Sequence, residues 1–266
     1  MQFFLVDAFT PSAFAGNTAA VVLLDAPADP AWMQSVAAEF KHSETAFVVT
    51  GGEGPLPLRW FTPAAEVDLC GHATLATAHV LGELDAARSV SVEGGGGRRV
   101  GQVFSTRSGE LACRAEDGWV SMDFPADMPV ASDDDPGIND TVFVGRGVSD
   151  ILVVLGDAAS VRGFKPDLPT LAKLDTRCVI VTAPGDVDGV DFVSRVFGPA
   201  VGVDEDPVTG SAHCTLAPYW AARLGRHELV GEQASERGGI VRMILNGDRV
   251  RLSGQAVTIA SGELHV

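Results

Sequence analysis

Two stretches of this chain place acidic residues a few positions ahead of a glycine that opens an apolar run. They are Glu66-Val67-Asp68-Leu69-Cys70-Gly71-His72 and Asp204-Glu205-Asp206-Pro207-Val208-Thr209-Gly210-Ser211. A glycine at a helix start lets backbone N–H groups approach a ligand closely, and the helix dipole there favours negative charge. Two such starts make a paired anion clamp. It can hold a carboxylate and stabilise the enolate-like charge left when a neighbouring C–H loses its proton. The other reading is that both glycines simply permit tight turns into packed helices, and on this feature alone the two readings stand level.

Three side chains near these starts carry titratable chemistry. His72 sits at the first helix start, where the dipole favours a neutral imidazole that donates a hydrogen bond; a capping or core histidine is the equal alternative. Cys70, in the same turn, is a candidate thiolate base, although a small buried hydrophobe is the favoured reading. Ser43-Glu44-Thr45-Ala46-Phe47-Val48 puts a carboxylate at the entrance of an apolar strand. Desolvated there, Glu44 has a raised pKa and exchanges a proton near neutral pH. A surface charge ahead of a strand is the commoner case. His79, two turns beyond His72, reads as packing or surface.

The surrounding pattern predicts the elements that hold these groups. Phe3–Phe9 and Ala19–Leu24 read as strands, followed by a helix that Asp29 caps and Pro30 opens, with Trp32, Val36 and Phe40 on one face. Thr45–Val49 and Leu58–Phe61 read as strands, and Gly71–Leu84 as a helix apolar around most of its circumference, hence buried. Gly94–Gly97 reads as a hairpin-like turn, since no helix follows to make it a phosphate loop. Asp133–Gly137 reads as a solvated acidic turn, with no glutamate at the spacing that closes a calcium loop.

The second half repeats the first. Arg59-Trp60-Phe61-Thr62-Pro63-Ala64 returns as Arg195-Val196-Phe197-Gly198-Pro199-Ala200, and the helix from Gly71 returns as Gly210–Leu224. Ser105–Gly109 returns as Ser235–Gly239. The pattern implies an internal duplication of mixed α/β (α+β) class, each half a set of strands around a central helix. A polar break at Glu116–Gly118 divides the chain into 1–117 and 118–266, with the last few residues free to return to the first half. Two such halves are expected to form a cleft for a small molecule where they meet.

Composition narrows the partners. The 266 residues carry 19 Lys plus Arg against 35 Asp plus Glu, a formal charge of −16, which disfavours nucleic acid and anionic membranes. No basic leader and no bilayer-length apolar run are read, and four scattered cysteines without a Cys-x-x-Cys pair suggest a reduced, cytoplasmic setting. Dinucleotide, pyridoxal phosphate and Gly-x-Ser-x-Gly hydrolase patterns are missing from the sequence.

Ser43–Val48, Phe61-Thr62-Pro63-Ala64-Ala65-Glu66, Cys70-Gly71-His72-Ala73-Thr74-Leu75-Ala76 and Glu205-Asp206-Pro207-Val208-Thr209-Gly210-Ser211-Ala212 together resemble the phenazine-biosynthesis PhzF-like family. That family belongs to the diaminopimelate epimerase-like superfamily. The likeness runs over essentially the whole chain, including Asp7-Ala8-Phe9 and Gly16-Asn17. It implies two pseudo-symmetric halves, each a curved, mostly antiparallel sheet or barrel around a central helix, and a homodimer. It also implies a cofactor-independent, metal-free isomerase acting on a small cyclic carboxylate. By motif, Glu44 moves the proton and His72 and Asp206 assist. Gly71, Ala73, Gly210, Ser211, Thr209 and Asn17 are implied as substrate-binding. Thr18 stands where many relatives carry proline, and Lys41-His42 where an asparagine is often found. Related epimerases use two cysteines; Cys70 matches the first, and the mate is expected near Pro207. A racemase using Cys70 and a non-catalytic binding protein of the same fold are the competing readings.

Overall fold

The computed structural model describes residues 1–52, 54–89 and 100–266; the run Gly94–Gly97 lies outside them. The chain forms two compact units, Met1–Asp123 with Ser253–Val266, and Phe124–Leu252. Glu116–Gly118 sits at the turn of a hairpin, and the division between units falls after Asp123.

The first unit begins with β1 (Gln2–Ala8) and β2 (Asn17–Leu24), paired antiparallel. Next comes α1 (Pro30–Phe40), which Asp29 caps by accepting the Ala31 N–H at 2.7 Å. The helix stops at Lys41, whose left-handed backbone returns its N–H to the Ala37 carbonyl. Met33, Val36 and Ala37 face the buried Phe47, Val49 and Phe61, with Trp32 and Phe40 packed at the margin. β3 (Glu44–Val49) lies parallel to β2, with Glu44 opposite Ala19. β4 (Leu56–Phe61) and the short β5 (Glu66–Val67) follow, each antiparallel to the strand before it.

α2 (Gly71–Ser89) runs five residues past the expected Leu84, because Asp85-Ala86-Ala87-Arg88 offers neither glycine nor proline to stop it. Ala73, Leu75, Ala76, Ala78 and Val80 are fully buried, as are Thr74 and Thr77. Those two hydroxyls stay satisfied by donating back one turn, to the carbonyls of Cys70 at 2.6 Å and Ala73 at 2.7 Å. β6 (Val100–Thr106), β7 (Gly109–Glu116) and β8 (Trp119–Pro125) form an antiparallel meander. The strand Ala256–Glu263 returns to pair with β1.

The second unit contains β9 (Val130–Ala131), β10 (Thr141–Arg146) and β11 (Asp150–Leu155), then the short helices α3 (Ala158–Arg162) and α4 (Leu168–Leu171). β12 (Cys178–Pro184) lies parallel to β11, and β13 (Phe192–Gly198) and β14 (Val203–Asp206) continue antiparallel. The central helix α5 (Gly210–Leu224) has the expected bounds. Pro218 lies inside it and supplies no N–H to the Cys214 carbonyl, which instead accepts the backbone N–H of Asp127 at 3.0 Å. β15 (Glu228–Gln233), β16 (Gly239–Asn246) and β17 (Arg249–Gly254) complete the unit.

The duplication is visible in matched ion pairs. Arg59 forks onto Glu66 through Nε at 2.7 Å and Nη2 at 2.8 Å, and Arg195 forks onto Glu205 at the same two distances. Each guanidinium also covers the phenylalanine two residues on, 5.2 Å from the Phe61 centroid and 5.0 Å from that of Phe197. These pairs fix the internal register. Thr45 lies opposite Phe61 and Val179 opposite Phe197, so Glu44 and Cys178 are equivalent positions. Counting from Glu66 and Glu205 makes Cys70 equivalent to Thr209 and His72 to Ser211. The mate of Cys70 is therefore Thr209, which corrects the expectation of Pro207.

Candidate active site

In the first unit the chain reverses between β1 and β2 through Gly16, whose φ of +65° and close packing exclude a side chain. A Cβ there would lie 2.1 Å from the Ala8 carbonyl oxygen. Asp7, buried, ties the loop down by accepting the Phe14 N–H at 2.7 Å and the Thr18 hydroxyl at 2.5 Å. This turn delivers Asn17, fully buried, to the start of β2. The parallel register of β2 and β3 sets Ser43 and Glu44 beside it, and the first turn of α2 brings His72.

The polar contacts then orient one another. Ser43 Oγ lies 3.3 Å from Asn17 Oδ1 and from the Thr18 carbonyl, and Asn17 Nδ2 lies 3.3 Å from His72 Nδ1. With the amide nitrogen donating there, Nδ1 accepts, and a neutral ring carries its proton on Nε2. Nε2 lies 3.3 Å from both Glu44 Oε2 and Ser43 Oγ. Cys70 Sγ lies 3.6 Å from Nδ1 and also hydrogen-bonds the Glu44 carboxylate. Burial raises the Glu44 pKa, partly offset by hydrogen bonds from Ser43 and Cys70. Its side chain is 20% exposed against 6% for His72, so the carboxylate is the face of this cluster that meets solvent. Ala73, the next residue on α2, is fully buried.

The second unit builds its helix start differently. Asp206 ends β14 and accepts the Thr209 hydroxyl at 2.6 Å. Gln233, fully buried on β15, clamps the turn: its Oε1 accepts the Thr209 N–H at 2.8 Å and its Nε2 donates to the Asp206 carbonyl at 2.6 Å. Ser235 Oγ donates to the Pro207 carbonyl at 2.8 Å. Gly210 is buried and Ser211 half-buried in the first turn of α5. His213, one turn in, has Nδ1 2.8 Å from the Thr209 carbonyl, and burial lowers its pKa to about 4. At the Glu44-equivalent position, burial and then Asp150 push the Cys178 thiol up to about 12.

The structure thus brings Glu44, His72, Asn17 and Cys70 into one cluster beside Gly71 and Ala73, and gathers Asp206, Thr209, Gly210 and Ser211 at the other helix start. Ser43 and Gln233 escaped sequence reasoning. Ser43 is only a neighbour of the candidate base, and Gln233 is a single polar residue in a strand with no motif around it.

Each of the two units sets its strands around one central helix, α2 in the first and α5 in the second. A solved hydroxyproline epimerase from Agrobacterium vitis shares the fold at a TM-score of 0.61 and 12% identity, over 98% of this chain and 91% of that one. The phenazine biosynthesis-like protein family, PhzC-PhzF, matches residues 6–262, and the chain belongs to it. It is similar to an uncharacterised isomerase of Pseudomonas aeruginosa, with 47% identity over 100% of this chain and 99% of that protein. A human phenazine biosynthesis-like domain-containing protein is 38% identical over 99% of each chain. A solved PhzF-family protein of Enterococcus faecalis superposes with a TM-score of 0.89 at 40% identity, over 100% of this chain and 99% of that one.

Proposed function

We propose that this protein is an isomerase that shifts a proton on a small cyclic carboxylate, with Glu44 as its single acid–base group. The observation that carries the reading is the placement of Glu44. Its carboxylate is buried enough to raise its pKa, touches His72, and keeps one open face. A carboxylate tuned in this way exchanges protons with carbon acids more readily than an exposed one. Membership in a family with relatives named isomerases supports the reaction class.

In the proposed step, ionised Glu44 removes a proton from carbon and the C–H electron pair passes into the conjugated carboxylate. Backbone N–H groups at Gly71 hold the developing charge, as the family resemblance implies also for Gly210 and Ser211. The neutral imidazole of His72 donates Nε2–H and keeps Glu44 oriented. Protonated Glu44 then returns the proton to another carbon on the same face. Asp206, Thr209, Asn17 and Ala73 complete the proposed substrate contacts.

A two-base racemase is the weaker reading. The position equivalent to Cys70 holds a threonine, and the one equivalent to Glu44 holds a thiol whose pKa is pushed up to about 12. Neither supplies a second base near neutral pH. Incubating the protein in D2O with a panel of aromatic and partly reduced cyclic carboxylates tests the proposal by mass spectrometry. Glu44→Gln is expected to lower deuterium uptake at least about 100-fold, the usual span of general-base catalysis, while ligand affinity stays within a few-fold. Undiminished uptake removes Glu44 from the mechanism. Interconversion of proline, hydroxyproline or diaminopimelate enantiomers on a chiral column would favour the racemase instead.

A further inference from the structure

We infer that the Glu44–Cys70–His72 cluster is also a binding site for a zinc-type divalent cation, and that the cation and the substrate compete for it. One carboxylate oxygen, one thiol sulfur and one imidazole nitrogen lie within 4.8 Å of one another. Sulfur, nitrogen and oxygen donors of these types form the ligand set of zinc, whose tetrahedral sites with three protein ligands leave the fourth position open. Zn–S and Zn–N bonds of about 2.3 and 2.0 Å at a tetrahedral angle put the two donors about 3.5 Å apart. Cys70 Sγ and His72 Nδ1 are already 3.6 Å apart.

The imidazole is held in the form a metal needs. Nδ1 carries the lone pair, while Nε2–H is oriented by Ser43 Oγ at 3.3 Å, the arrangement that fixes a ligating histidine. The cation would replace the Asn17 amide as the partner of Nδ1. Cys70 and His72 are buried, and the partly exposed Glu44 marks the side of entry. Charge also balances. The thiol loses its proton to solvent as the Sγ–metal bond forms, and thiolate plus carboxylate neutralise the dication without any change of oxidation state. The formal charge of −16 draws cations to the protein as a whole.

Binding stands on this geometry alone; its consequence rests on the proposed role of Glu44. A carboxylate oxygen that ligates a cation is not available to take a proton, so occupancy blocks exchange. Titrating the EDTA-dialysed full chain with CoCl2 tests the site spectroscopically, and calorimetry with ZnCl2 gives affinity and stoichiometry. One cation per chain is expected, with a thiolate-to-cobalt charge-transfer band and tetrahedral d–d bands. Cys70→Ser abolishes the charge-transfer band, and His72→Gln weakens zinc binding by more than about 100-fold, beyond what losing an outer partner of a ligand costs. A charge-transfer band that survives in Cys70→Ser, or zinc affinity unchanged in His72→Gln, overturns the inference. Glu44→Gln keeps the charge-transfer band even if Glu44 proves to have no part in proton transfer, so the two proposals fail separately.

Discussion

Acidification is expected to unfold this protein partly through His213. The imidazole is fully buried, and Nδ1–H donates to the Thr209 carbonyl at 2.8 Å. Its Nε2 has no hydrogen-bond partner among the described residues, and the ring packs on Phe192 with centroids 6.0 Å apart. Protonation would place an unpaired charge there, so burial depresses the folded-state pKa from 6.5 to about 4. The unfolded chain takes up the proton near 6.5 and the folded chain only near 4. Stability conferred by the neutral ring is complete above 6.5 and is lost as pH falls through that window. The gap corresponds to about 3 kcal/mol over the whole window and about 2 kcal/mol already lost at pH 5. His213→Phe keeps the ring and the stacking but cannot titrate. Urea unfolding of both proteins at pH 8 and pH 5 isolates the effect, because other titrations are common to the pair. The wild-type protein should lose about 2 kcal/mol more than the variant on going to pH 5. Equal losses would refute the reasoning and show that His213 is protonated without cost, or that it is not buried in solution.

Other expectations follow from the turns that hold the site. Gly16→Ala sets a Cβ 2.1 Å from the Ala8 carbonyl oxygen at a φ of +65°, so it should cost about 2 kcal/mol or more in urea unfolding and slow deuterium exchange by displacing Asn17. Gln233→Leu removes the acceptor of the buried Thr209 N–H and a donor to the Asp206 carbonyl, and should cost about 1–3 kcal/mol by the same measurement.

The helices were the most legible part of the fold. Asp29-Pro30 announces α1 by a cap and a pre-set φ, and Gly210 and Gly225 bracket α5. The far end of α2 is not legible, since its last turn contains no breaking residue. Strands β9 to β12 and the two short helices between them are not legible in the sequence: Asp157 and Asp167 cap those helices, but at five and four residues they are too short to show a helical period. The site shows the same divide. Glu44, Cys70 and His72 announce themselves as residue types, but their contact depends on the parallel register of β2 and β3 and on the turn at Gly16, which pattern alone does not supply. The mate of Cys70 was misplaced. Its position follows from the Gly71–Gly210 correspondence of the two helix starts, and the matched Arg–Glu forks fix the same register.

A single-turnover experiment on a carboxylate that exchanges reaches the central claim most directly. The substrate carries deuterium on the carbon that loses its proton, the reaction runs in H2O, and NMR locates the label in the product. If Glu44 both takes and returns the proton within a closed contact, part of the deuterium reappears on the acceptor carbon, on the face it left, and none does so with Glu44→Gln. Complete washout to solvent on every turnover, or label transfer that survives Glu44→Gln, would contradict the account.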